Sequence, residues 1–145
     1  ASSHGQVGEY LLAGKPSGYY TTAESMVEKM ILGEKGVIDY ETEPIMKELL
    51  SKKDFGKYTD QTTGKMHLCF LSNNDITGGN SGSPMFNGKG ELIGLAFDGN
   101  WDSLSSDIFF DKQLARCIGV DIRYVLYMME SWGKADRLLR EINAK

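Results

Sequence analysis

At 145 residues, 41% of them hydrophobic and 10% aromatic, the chain can bury one core and make a single domain over residues 1–145. A net charge of -4 and a pI near 5.2 argue against nucleic acid or an anionic membrane surface as a partner. No uninterrupted apolar run approaches the roughly 18 residues of a membrane span.

The chain opens Ala1-Ser2-Ser3-His4-Gly5-Gln6 without a methionine or signal peptide, which fits a processed or excised piece. Gly5 to Tyr20, with Gly8, Gly14, Gly18, Tyr10 and Tyr19, predicts a short strand or two joined by turns. Thr21 followed by Glu24 fits a capping box, and Met26, Val27, Met30 and Ile31 fall on one helical face before Gly33 offers a stop. A second short helix is predicted from Thr42, with Pro44 in its first turn and Ile45, Met46, Leu49 and Leu50 on one face. The methionines read as core filler. Lys52 to Lys65 is polar and turn-rich and predicts a solvated loop.

His67-Leu68-Cys69-Phe70-Leu71 is a strand that delivers the chain to Asp75-Ile76-Thr77-Gly78-Gly79-Asn80-Ser81-Gly82-Ser83-Pro84, where three glycines and two serines crowd together. Acyl transfer by serine needs a hydroxyl beside a base and two backbone N–H groups aimed at the oxygen that becomes negative. In Gly79-Asn80-Ser81 the N–H groups of Gly79 and Ser81 can point into one small cup. Asn87-Gly88-Lys89-Gly90 then turns the chain into Glu91-Leu92-Ile93-Gly94-Leu95-Ala96-Phe97, the return strand of a hairpin.

Beyond it, Ser103 to Asp107 reads as a polar loop, Ile108-Phe109-Phe110 as an apolar patch, and Arg116 to Val120 as a strand ending at Asp121, a fair N-cap. A C-terminal helix follows from Ile122, with Val125, Leu126, Met129, Leu138, Leu139 and Ile142 and a break at Gly133. The two cysteines, Cys69 and Cys117, both lie in apolar runs; one disulfide and two buried free thiols both stay open. Neither has a metal-ligand spacing, so no metal and no cofactor is assigned.

Gly79-Asn80-Ser81-Gly82-Ser83-Pro84 resembles the nucleophile loop Gly-Asp-Ser-Gly-Gly-Pro of chymotrypsin-like serine peptidases. Asn80 departs from that pattern: it carries no charge to pair with a buried N-terminal amine, so a trypsin-type activation switch is not implied. The longer run Asn74 to Pro84, then Gly90 to Trp101, then Cys117 to Leu126 is similar to the C-terminal part of the bacterial dipeptidyl-peptidase 7 and 11 family, densely from about Asp54 to Leu126 and more thinly before.

The resemblance implies a mainly β fold with helices: the second β-barrel of a chymotrypsin-like double barrel, with two short helices near the N-terminus and a helix at the C-terminus. It implies Ser81 as nucleophile and the Gly79 and Ser81 N–H groups as oxyanion hole. Asp98, on the strand that lies beside the substrate, is implied as the carboxylate that receives the free N-terminal ammonium, worth about 1.5–3 kcal/mol as a charge-assisted hydrogen bond. Phe97 and Gly99 are implied as pocket residues. Family members with arginine at the position of Gly99 take acidic penultimate residues, whereas glycine leaves the pocket open and apolar, so the implied preference is hydrophobic, as in dipeptidyl-peptidase 7.

A serine nucleophile needs a base, and the chain's two histidines, His4 in a tail and His67 in a strand, are both poor candidates. The catalytic histidine and aspartate are expected upstream, in an N-terminal barrel and helical region of the same full-length protein, and this chain alone is expected to be inert. Peptide substrates, a periplasmic or secreted location and a homodimer are compatible with the resemblance. A chymotrypsin-like endopeptidase and a non-catalytic peptide-binding or partner-binding domain are the alternatives.

Overall fold

The computed structural model describes residues 2–105 and 113–142. The chain divides into two compact units, Ala1–Tyr20 with Cys69–Ile122, and Thr21–Leu68 with Arg123–Lys145. The strands are β1 (Leu11–Leu12), β2 (Lys15–Pro16), β3 (Tyr20–Thr22), β4 (His67–Ser72), β5 (Pro84–Phe86), β6 (Leu92–Gly99) and β7 (Cys117–Asp121). The α-helices are α1 (Ala23–Glu34), α2 (Pro44–Leu50), α3 (Ile122–Ser131) and α4 (Asp136–Glu141). β1 and β2 make a hairpin, and the other five strands form one sheet in the order β3-β4-β7-β6-β5. This is sheet with helices, as the sequence predicts; the described strands do not close a barrel.

The first unit is built on antiparallel pairings of β4 with β7, β7 with β6 and β6 with β5. One face of this sheet carries Phe70, Ser72, Gly94, Ala96, Cys117, Gly119 and Asp121, and all of them are buried. Small residues are required there: a Cβ on Gly94 would come within 2.7 Å of the Phe70 ring, and one on Gly119 within 2.6 Å of Met85 Sδ. Register also decides the cysteines. Cys69 opposes Val120 while Cys117 opposes Ser72, so the two thiols leave the sheet on opposite faces and form no disulfide with each other. Burial pushes the Cys117 thiol above its ordinary pKa.

The second unit holds α1 and α2, whose predicted positions stand with small shifts. The capping box uses Thr22 and Ser25 rather than Thr21 and Glu24: Ser25 N–H donates to Thr22 Oγ1 at 3.4 Å, and Thr22 N–H to Ser25 Oγ at 3.1 Å. Thr22 is the last residue of β3 and directly precedes α1 with extended backbone (φ -125°, ψ 164°), so it, and not Thr21, stands at the N-cap. Nor does Gly33 stop α1. The helix ends one residue later, with Val37 N–H donating to Leu32 O and Gly36 N–H to Gly33 O, the paired bonds of a Schellman motif.

The segment predicted as a solvated loop contributes core residues: Phe55 and Tyr58 are buried, as are Leu49, Leu50, Met66 and Tyr127. The rings of Phe55 and Tyr58 meet Tyr127 edge-on at 5.4 and 5.8 Å, and Tyr127 Oη donates to Leu49 O at 2.7 Å. The Tyr58 hydroxyl donates to Glu130. Asp60 is the polar anchor, accepting from Thr62 N, Thr63 N, Thr63 Oγ1 and Arg123 Nη1. The break after α3 falls at Gly133, as predicted. Of the segments read between β6 and β7, Trp101–Ser105 is a 3-10 turn, and Ile108-Phe109-Phe110 lies outside the described residues.

Candidate active site

The site lies in the first unit and begins at its N-terminus. The segment read as a tail is strapped along the exit from β4. Gly8 N–H donates to Leu71 O at 3.0 Å, Asn73 N–H to Gln6 O at 3.0 Å, and Ser3 Oγ to Asp75 O at 3.0 Å. Extended backbone satisfies itself by pairing with the nearest open edge, and here that edge leads into the serine loop.

The loop is two successive turns. In the first, Asn80 N–H donates to Thr77 O at 3.1 Å while Thr77 N–H donates to Asn80 Oδ1 at 2.8 Å. Asn80, the residue that departs from the trypsin-like pattern, therefore braces its own loop. In the second, Ser83 N–H donates to Asn80 O at 2.9 Å. Gly79 (φ 94°) and Gly82 (φ 85°) each take the third place in a turn, where a positive φ favours glycine.

The loop docks on β6 through Gly82 N–H to Ala96 O at 2.7 Å and Ala96 N–H to Ser83 O at 2.9 Å. Ser81 stands exposed at its tip, and its Oγ donates to Phe97 O at 3.1 Å. The N–H groups of Asn80, Gly82 and Ser83 are all used, while those of Gly79 and Ser81 donate to no group among the described residues. Two N–H groups of the loop are thus left without a partner among the described residues, one of them on Ser81 itself.

β6 brings the other predicted residues to the same place by means of a bulge. Ala96 opposes Gly119 and Asp98 opposes Ile118, which leaves Phe97 without a partner. The extra residue reverses the alternation. Asp98, which would otherwise share the buried face with Ala96, is exposed, as is Phe97 at 44%. Asp98 Oδ1 accepts from Gly99 N–H at 2.8 Å, which holds the carboxylate in place.

Gly99 lies against Ser103: an added Cβ would lie 2.1 Å from Ser103 Oγ. Ser103 is held there by Asn100, whose carbonyl accepts from Ser103 N at 2.9 Å and Ser103 Oγ at 2.6 Å. Asn100 is itself buried; its Oδ1 accepts from Arg116 N–H at 2.7 Å and its Nδ2 donates to Leu114 O at 2.9 Å, so one amide ties both ends of the excursion between β6 and β7. Sequence reasoning passed over Asn100 and Ser103, although an Asn-x-x-Ser run directly after a strand is a turn signal.

Neither histidine is bonded to Ser81. Buried His67 has Nε2 2.8 Å from Thr63 Oγ1, in the second unit. His4 is exposed and lines a groove of about 930 Å³ with Ser72, Thr77, Met85, Ile93 and Cys117. That groove takes in Asn80 and Ser83 but none of Ser81, Phe97, Asp98 and Gly99. The hydrogen bonds between the serine loop and β6, rather than this groove, locate the candidate chemistry.

Residues 2–144 match the Peptidase S46 family model. The chain belongs to the Peptidase S46 family. It is 52% identical over 125 residues to dipeptidyl-peptidase 7 of Porphyromonas endodontalis, a match covering 86% of the chain and 15% of that relative. It is 44% identical over 123 residues to the Asp/Glu-specific dipeptidyl-peptidase of Capnocytophaga gingivalis, covering 85% of the chain and 17% of that relative. The crystal structure of Porphyromonas endodontalis DPP11 in complex with substrate superposes with a TM-score of 0.87 at 34% identity, over 97% of this chain and 20% of that one. The S46 relatives are thus several times longer than the chain.

Proposed function

We propose that the complete protein is a serine dipeptidyl-peptidase that removes dipeptides from free N-termini, with this chain supplying the nucleophile and the substrate-facing strand. The observation that carries the proposal is the bulge at Phe97. It turns Asp98 outward on the strand whose carbonyl already holds Ser81 Oγ at 3.1 Å. An outward carboxylate beside a nucleophile is a ruler for an ammonium group two residues from the scissile bond.

In the proposed reaction Ser81 Oγ attacks the carbonyl carbon of the second residue and its proton passes to a histidine base supplied from the preceding part of the polypeptide. The carbonyl oxygen becomes an oxyanion held by the Gly79 and Ser81 N–H groups. Collapse of the intermediate breaks the C–N bond, the leaving amine takes the proton from the base, and water then hydrolyses the acyl-serine. The base and its carboxylate partner belong to the other half of a chymotrypsin-like double barrel, so the isolated chain is inert.

The preference we propose is for a hydrophobic penultimate residue. Gly99 brings no charge to the pocket and exposed Phe97 offers it an apolar wall. Relatives named dipeptidyl-peptidase 7 and relatives named Asp/Glu-specific both match the chain, so the preference rests on these residues. A periplasmic or secreted location is proposed on the resemblance alone.

The test is turnover of dipeptide amides ending in Met, Phe or Glu by the complete protein, with the amine free or acetylated and Ser81→Ala as control. Cleavage confined to free-amine substrates and lost in the control supports the reading. Cleavage of both forms makes the protein an endopeptidase, and no cleavage at all makes the loop a binding feature. A Glu substrate preferred over Met refutes the hydrophobic preference alone.

A further inference from the structure

The position at which a side chain on residue 99 would begin is filled by another residue. An added Cβ on Gly99 meets Ser103 Oγ at 2.1 Å and Ser103 Cβ at 3.3 Å. Real side-chain atoms do not approach so closely, so a side chain on residue 99 requires the Ser103 hydroxyl to move from this position. Ser103 is not free to swing aside, because its hydroxyl and its N–H both donate to Asn100 O. Asn100 is in turn fixed by its bonds to Arg116 and Leu114.

We propose that Ser103 is a specificity-determining residue, and that the size and character of the penultimate-residue pocket are set by residues 99 and 103 as a pair. The inference rests on the proposed dipeptidyl-peptidase reading. Ser103 occupies the volume that glycine leaves, presents a small fixed surface beside Gly99 and limits the depth available to substrate. A larger residue at 99 is compatible with the turn Trp101–Ser105 only when residue 103 is small.

The experiment compares the complete wild-type protein with S103A, S103G, G99R and G99R/S103G. The readout is kcat/KM on free-amine dipeptide amides with Ala, Met, Phe or Glu in the penultimate place. Deleting the hydroxyl deepens the pocket, so S103A and S103G should raise the Phe-to-Ala ratio by about 3-fold to 10-fold, within the range one added group commands in an apolar pocket. G99R alone should lose activity on every substrate, and G99R/S103G should recover it with a Glu-to-Met ratio roughly 10-fold or more above that of G99R. Ratios between substrates do not move when a variant is merely less stable.

If S103A and S103G keep the wild-type ratios within 2-fold while the wild type is active, the inference is wrong and the dipeptidyl-peptidase reading stands. It is equally wrong if G99R alone becomes acid-selective and S103G adds nothing. A wild-type protein that cleaves no free-amine substrate refutes the proposed function, and the role of Ser103 with it.

Discussion

Asn100→Ala removes a side chain that ties together both ends of the excursion between β6 and β7, and its cost can be worked from its bonds. Arg116 N–H, in a buried residue, loses its acceptor at 2.7 Å, and Leu114 O loses its donor at 2.9 Å. Leu114 is exposed, so water replaces that donor, whereas the Arg116 N–H loses its Asn100 acceptor within a buried residue. An unsatisfied buried donor costs about 1–3 kcal/mol and a lost net hydrogen bond about 1 more, for a total of roughly 2–4 kcal/mol.

Hydrogen exchange in the complete protein reads this locally, because the Arg116 amide exchanges only when the clamp opens. At about 1.4 kcal/mol per factor of ten, the expected acceleration is roughly 30-fold to 700-fold, up to the ceiling set by opening of the whole unit. Asn100→Asp keeps the acceptor for Arg116 and should show a smaller acceleration at that amide. Exchange unchanged within 3-fold in Asn100→Ala would refute the reasoning, since the buried amide would then have found another partner at no cost.

Gly79→Ala meets no steric obstacle, because no atom lies within 4 Å of the added Cβ; its penalty is backbone strain at φ 94°, about 1–2 kcal/mol. On the proposed mechanism the turn relaxes and the Gly79 N–H loses its aim, so kcat should fall by about 10²-fold to 10³-fold with KM little changed, as steady-state kinetics will show. Leu50→Ala empties a site that is 1% exposed, for which about 2–5 kcal/mol of destabilisation is expected and a lowered thermal midpoint is the check. The Arg123 guanidinium, donating to Asp60 at 2.6 Å, holds that carboxyl well below the usual carboxylate range. Its folded-state pKa is depressed, so its stabilisation is fully present above the unfolded value of about 3.9 and is lost as pH falls through the folded value. Asp60→Asn should flatten the acid limb of a melting-temperature profile, and an unaltered limb would sink the assignment.

What could be read from the chain and what could not divide along physical lines. Helices α1 and α2 were legible because their apolar faces and end signals are local, yet the cap moved from Thr21 to Thr22 because the chain stays extended through Thr22, the last residue of β3. The hairpin around Asn87–Gly90 was legible for the same reason. Phe55 and Tyr58 were hidden in a polar stretch, since their burial comes from Tyr127, which lies far along the chain. Cys69 and Cys117 stayed undecided until the pairing of β4 with β7 put them on opposite faces.

By itself the sequence determined the serine loop: glycines where turns need positive φ, a serine set between Asn80 and Gly82, and a strand before and after. Those are properties of neighbouring residues, and neighbours are what a sequence displays. Only the tertiary structure decided that Asp98 faces outward and that Gly99 lies against Ser103. Strand alternation alone would have buried Asp98 beside Ala96, and the bulge that prevents this exists because β6 is paired with β7. Register is a relation between two strands, so no reading of one of them contains it.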